Sequence, residues 1–172
     1  MIMRAWFVPG AMVVASCLAL AAASWAQAPK HTTAVYEDWT VRCDMTGSAR
    51  TCDLAQSTQT QDQVVSLIVI GRASKTEPLR IVFQVPITVW LPDGVSLATD
   101  KGAKIVSASF KRCLGGGCFA DAEITDDILA KLRGEVEKGK LLFTDAAQKE
   151  VALPVSFKGF AAAYDAMVRQ TQ

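Results

Sequence analysis

From Tyr36 onward, short alternations of apolar and polar residues are punctuated by turn formers, and this pattern predicts β-strands rather than long helices. Trp39, Val41 and Cys43 share one strand face, with Thr40 and Arg42 on the other. Val64 to Ile70 is apolar on both faces apart from Ser66, as in a central strand. Leu79, Ile81, Phe83 and Val85 alternate with Arg80, Val82 and Gln84, which predicts a half-buried strand. Leu91-Pro92-Asp93-Gly94 reads as a tight turn, because proline presets φ and glycine tolerates a left-handed exit. That turn is expected to join Ile87 to Trp90 with Val95 to Ala98. Val106, Ala108 and Phe110 then face inward on a strand running into Cys113. Cys118, Ala120, Ala122 and Ile124 do so on the strand that leaves.

Two segments depart from the two-residue period. Thr125 suits the cap of a short helix through about Leu132, with Asp126 and Asp127 in the first turn, where the helix dipole favours anions. Phe160, Tyr164, Met167 and Val168 recur at helical spacing around Ala161 to Ala163. Leu141 to Phe143 and Val151 to Val155 read as a last strand pair. The expected fold is all-β, an antiparallel β-sandwich-like single domain over 36–170 with two short helices. A polar segment, 27–35, holds Pro29 and the only histidine, His31, and is expected to be a mobile lead-in.

Residues 1–26 read as a signal peptide. Arg4 gives a positive start, Ala5 to Ala23 carries no charge, and Ser24-Trp25-Ala26 places small residues where a signal peptidase reads, so maturation is expected at Gln27. An uncleaved anchor is the competing reading, opposed by Pro9-Gly10 within the run. Val14-Ala15-Ser16-Cys17 also resembles a lipobox, although the segment after Cys17 stays apolar where a lipoprotein has a polar tether. The expected address is the periplasm, with the outer membrane or the medium as alternatives.

The whole chain carries 18 basic and 17 acidic residues, and losing Arg4 with the leader leaves no net charge. The charges are scattered singly, so neither nucleic acid nor an anionic membrane surface is expected as an electrostatic partner. One histidine makes a Ser-His-Asp or Cys-His catalytic pair an unsuitable reading. Cys43 and Cys52, and Cys113 and Cys118, are spaced unlike the usual zinc-ligand pairs and carry no histidine partner, so no metal and no cofactor are expected. In an exported chain the same spacings predict two local disulfides.

The remaining candidates are few. Asp121 and Glu123 share a strand face at roughly 6.5–7 Å, a separation that suits paired carboxylates but equally a solvated surface. Leu114 to Gly117 is either an anion nest or a turn closing the second cysteine pair. Trp39, in phase with Cys43, is expected to pack over the first bridge. Trp90, with Pro92, Asp93 and Gly94 beside it, is the candidate binding surface, and no catalytic residue is assigned.

The segments Trp39-Thr40-Val41-Arg42-Cys43, Cys52-Asp53-Leu54-Ala55-Gln56, Phe110-Lys111-Arg112-Cys113, Gly117-Cys118-Phe119-Ala120 and Leu153-Pro154-Val155-Ser156-Phe157-Lys158-Gly159-Phe160 occur in an order that resembles the invasion-associated locus B family of bacterial envelope proteins. The resemblance implies an exported protein of the periplasm or outer membrane, associated by name with host-cell invasion and virulence, and brings no catalytic residues. Three functions are therefore expected to compete. The first is a non-enzymatic envelope protein that binds a protein or cell-surface partner, with peripheral outer-membrane association. The second is a small-ligand or lipid-carrying β-sandwich with an apolar pocket between its sheets. The third is a carboxylate-dependent hydrolase centred on Asp121 and Glu123.

Overall fold

The computed structural model describes residues 30–47, 49–60, 63–134 and 138–171; the expected leader over 1–26, with Cys17, and the mature start at Gln27 lie outside them. Eleven strands and two helices are described: β1 (His31–Tyr36), β2 (Trp39–Thr46), β3 (Ala49–Thr60), β4 (Gln63–Gly71), β5 (Arg80–Val85), β6 (Val95–Thr99), β7 (Lys104–Ala108), β8 (Phe110–Leu114), β9 (Gly117–Glu123), α1 (Asp126–Gly134), β10 (Lys138–Thr144), β11 (Glu150–Ser156) and α2 (Phe160–Gln170). They form a seven-stranded sheet, ordered β1-β2-β3-β4-β5-β9-β8, and a four-stranded sheet, ordered β11-β10-β6-β7. Every pairing is antiparallel.

Register explains the core. Val41 lies opposite Leu54, Leu54 opposite Ile70, Ile70 opposite Ile81 and Ile81 opposite Ala122, so one inward row crosses five strands. Gln56, Ile68, Phe83 and Ala120 form the next row. In the small sheet Leu141, Leu97 and Val106 align, as do Phe143, Val95 and Ala108. These side chains merge into one buried cluster between the sheets. The period-two alternation puts them there, because a strand sends successive side chains to opposite faces.

Where the small sheet does not reach, α2 covers the inner face over β1, β2 and β3. Ala163 and Ala166 are buried on its underside and let it approach closely, while Phe160 meets Trp39 edge to face at 5.1 Å. Trp39 therefore packs on the helix and not over the first disulfide: Cys43 stands four residues further along β2, about 13 Å away. Gly159 precedes the helix with φ +79°, and a Cβ there would lie 2.1 Å from the Tyr36 carbonyl oxygen. α1 is tied to α2 by Arg133, whose Nη1 donates to Asp165 at 2.7 Å and whose guanidinium lies 5.4 Å from the Tyr164 ring centre.

Three further sequence expectations are corrected. The lead-in is strand from His31 onward, because exposed His31, Thr33 and Val35 alternate with half-buried Thr32, Ala34 and Tyr36 along the open edge of β2. Residues 87–90 do not pair with Val95–Thr99, whose two edges are already taken by β10 and β7. The single strand expected from Val106 into Cys113 is two strands, β7 in the small sheet and β8 in the large one, divided at Ser109. A strand that turns the corner of a sandwich keeps its alternation, so periodicity alone does not reveal the division.

Candidate functional site

Pro86 follows β5 and has no N–H to extend the ladder. The segment beyond it crosses to the small sheet, where Thr88 accepts from Ala146 N at 3.1 Å, Val89 bridges Asp145, and Trp90 N donates to Thr144 O at 2.8 Å. Leu91–Asp93 then makes one turn of 3-10 helix, closed by Gly94 N donating to Leu91 O at 3.2 Å. Gly94 has φ +67° and ψ −154°, and a Cβ on it would stand 2.4 Å from Ala108 O, so no other residue fits without moving the backbone. Anchored at Val89 and Gly94, the segment turns its large side chains outward: Ile87 is 60 % exposed, Trp90 39 % and Leu91 52 %. Pro92 and Asp93 are exposed beside them.

The β8–β9 hairpin borders this segment, because Cys118 is the register partner of Val85 at the end of β5. Gln84 Nε2 donates to Gly116 O at 2.7 Å and fixes the hairpin tip, at which Leu114 is 56 % exposed. Gly117 has φ +145° and sits against Val85 O. Gly115 and Gly116 form the two-residue turn between the paired Leu114 and Gly117. Cys113 and Cys118 face each other with Cα atoms 3.9 Å apart and are bridged. Cys43 and Cys52 are likewise opposite, 4.1 Å apart and bridged. Both pairs have the close approach of non-hydrogen-bonded positions in an antiparallel ladder.

The two carboxylates differ in setting, although Arg80 is the register partner of Glu123. Asp121 is ion-paired with Arg80, whereas Glu123 is exposed. His31 is engaged with Asp44 at the exposed edge of the large sheet. Elsewhere, Arg42 grips Asp53 with two bonds of 2.8 and 3.0 Å, and the hydrogen bond to Asp53 holds its guanidinium above the usual arginine range. The hydrogen bond from Arg133 holds the Asp165 carboxyl below its ordinary value. Among the described residues no cluster of three or more His, Cys, Asp or Glu is placed to hold a metal.

Space between the sheets is filled by Leu54, Phe83, Leu97 and Leu141, each fully buried. The open volume lies at the periphery. One groove of about 740 Å³ runs between β3 and the β10–β11 pair, with Lys138, Lys140 and Lys158 set against Asp38 and Asp100. A second, of about 520 Å³, opens where the end of α2 meets the start of β3.

Sequence reasoning assigned no role to Gln56, although it shares an inward face with Cys52 and Leu54. Its Nε2 donates to Ser156 O at 2.8 Å and Asp38 O at 3.1 Å, and its Oε1 accepts from Ser156 N at 2.9 Å. Trp39 Nε1 donates to the same Ser156 oxygen at 2.9 Å. One amide thus stands in for a strand neighbour at the end of β11. A glutamine in phase with apolar residues was the available signal.

Comparison with known proteins bears on the whole domain. The family model described as "Invasion associated locus B (IalB) protein" matches residues 39–168. This chain belongs to the IalB family. Invasion protein B homologs from two strains of Brucella abortus are each 28 % identical over 134 residues, spanning 76 % of this chain and 75 % of theirs. A crystal structure of invasion associated protein B from Bartonella henselae superimposes with a TM-score of 0.70 at 21 % identity, covering 80 % of this chain and 95 % of that one. The IalB match runs from Trp39 into α2, and so includes both bridges, the Gln56–Ser156 contact and the Trp90 segment.

Proposed function

We propose that this IalB-family protein is an exported, non-enzymatic envelope protein that binds a protein or cell-surface partner through the Trp90 segment, and that this binding serves host-cell invasion. One observation carries the reading: Ile87, Trp90, Leu91 and Leu114 are large, apolar and exposed on a loop pinned at Val89 and Gly94 and on the hairpin tip bordering it. Aromatic and apolar side chains held on a rigid loop offer contact area at low entropic cost. The family's name supports the invasion role, and the leader read in the sequence supports export, for which we propose a periplasmic address with peripheral outer-membrane association.

The test places a photocrosslinking amino acid at Leu91 in the producing bacterium and identifies what it captures. Capture of one envelope or host-surface component, reduced at least tenfold by Trp90→Ala with an unchanged circular dichroism spectrum, is the expected result. The paired change Asp121→Asn with Glu123→Gln should leave capture intact. Undiminished capture by Trp90→Ala overturns the surface. A hydrolytic activity lost in the carboxylate variant replaces the reading with the enzymatic one.

A further inference from the structure

The 520 Å³ groove at the end of α2 joins an apolar floor to a cationic rim. Tyr164, Met167 and Val168 supply the floor, and Val168 is 37 % exposed although it belongs to the helix's apolar stripe. Arg50 from β3, with Arg72 and Lys75 from the loop after β4, supply the rim, and no carboxylate lines the groove. His31, Arg42, Arg80 and Arg133 each have an aspartate partner. Among the described residues the three rim cations have none: Arg72 Nη1 donates to the Glu77 carbonyl at 2.7 Å, and Arg50 Nη2 to Thr32 Oγ1 at 2.8 Å. The Arg50 Nε is buried without a hydrogen-bond partner.

Three cations without counter-ions beside an apolar floor complement a ligand with an anionic head and an apolar tail. Arginine favours carboxylate oxygens through its fork of N–H donors, while methylenes of the tail gain by leaving water. The volume is that of a small-molecule site and suits one acyl chain rather than two. We infer that this groove binds a single-chain anionic amphiphile of the long-chain fatty-acid class. The site is separate from the Trp90 surface, and the proposal does not rest on that reading.

Binding is measured on the full oxidised chain by displacement of dansylaminoundecanoic acid, using palmitate, laurate, hexadecanol and dodecyltrimethylammonium as competitors. Palmitate should displace the probe at micromolar concentrations and better than laurate, since each methylene that reaches the floor strengthens binding about fourfold. The cationic amphiphile should compete at least tenfold more weakly than laurate. Arg72→Gln with Lys75→Gln, both on an exposed loop, should weaken palmitate at least tenfold and leave hexadecanol unchanged, while Val168→Asp should weaken both. Trp90→Ala should change nothing here, which separates failure of this site from failure of the partner surface. No displacement by palmitate, equal competition by the cationic amphiphile, or an unaffected Arg72/Lys75 double variant overturns the proposal. Binding only to phosphatidylglycerol vesicles, with none to monomeric palmitate, overturns it in favour of a membrane surface.

Discussion

Gln56 shows how one polar side chain joins two layers. Sheets in a sandwich share apolar packing but few hydrogen bonds, and without Gln56 the Ser156 N–H at the end of β11 would lose its partner where it nears β3. The Gln56 amide meets both the N–H and the C=O of Ser156, and Ser156 Oγ donates to Asp38 Oδ2 at 2.6 Å, so three segments converge on one residue. Gln56→Leu preserves the approximate volume but removes a donor and an acceptor from a nearly buried position. A loss of about 2 kcal/mol is expected, the usual cost of leaving such groups unsatisfied. Urea denaturation of the two proteins measures it, and a change below about 0.5 kcal/mol would mean that water replaces the amide at this site.

At the scale of elements, legibility followed local pattern. β2, β5 and β9 were readable because each keeps a period-two alternation with its apolar phase facing one core. β1 was missed because its inward positions, Thr32, Ala34 and Tyr36, are weakly apolar and its pairing depends on the free edge of β2. The break at Ser109 and the bridging of Val89 to Asp145 are decided by segments distant in sequence. Trp90 and its turn were legible as a candidate surface from an aromatic beside a turn motif. The groove at the end of α2 was not, because topology assembles it from residues near 50, 75 and 168.

The disulfides belong to this scale too, since each fastens a strand pair already in register. On the chain-entropy model, closing the 10-residue loop of Cys43–Cys52 contributes about 2.7 kcal/mol, and the six-residue loop of Cys113–Cys118 about 2.2 kcal/mol. Their accessibility differs more than their energies. Cys43 and Cys52 are both buried, with the first beneath α2, whereas Cys113 is exposed at the hairpin. Thiol–disulfide exchange requires access to a sulfur. Mild dithiothreitol should therefore open Cys113–Cys118 first, seen by alkylation and peptide mass, while Cys43–Cys52 survives until the fold is lost. Simultaneous alkylation of all four would show that the region under α2 opens freely.

For the molecule as a whole, the question is whether the helix-covered half and the sheet-covered half behave as one body. The inner rows of the large sheet run without interruption from β2, beneath α2, to β9, beneath the small sheet. β11 leads into α2 within four residues, and its last residue is held by Gln56 and Trp39 from the opposite sheet. Neither half can be exposed without stripping apolar surface from the other, so two-state unfolding is expected. A chain beginning at Gln27 with Trp90→Phe keeps Trp39 as its only tryptophan, buried against Phe160 and therefore a reporter of the α2 contact. Far-UV circular dichroism reports both sheets in the same sample. The two urea transitions should coincide in midpoint and slope. An earlier fluorescence midpoint would mean that the layer over Trp39, α2 with the end of β11, detaches while the strands remain paired.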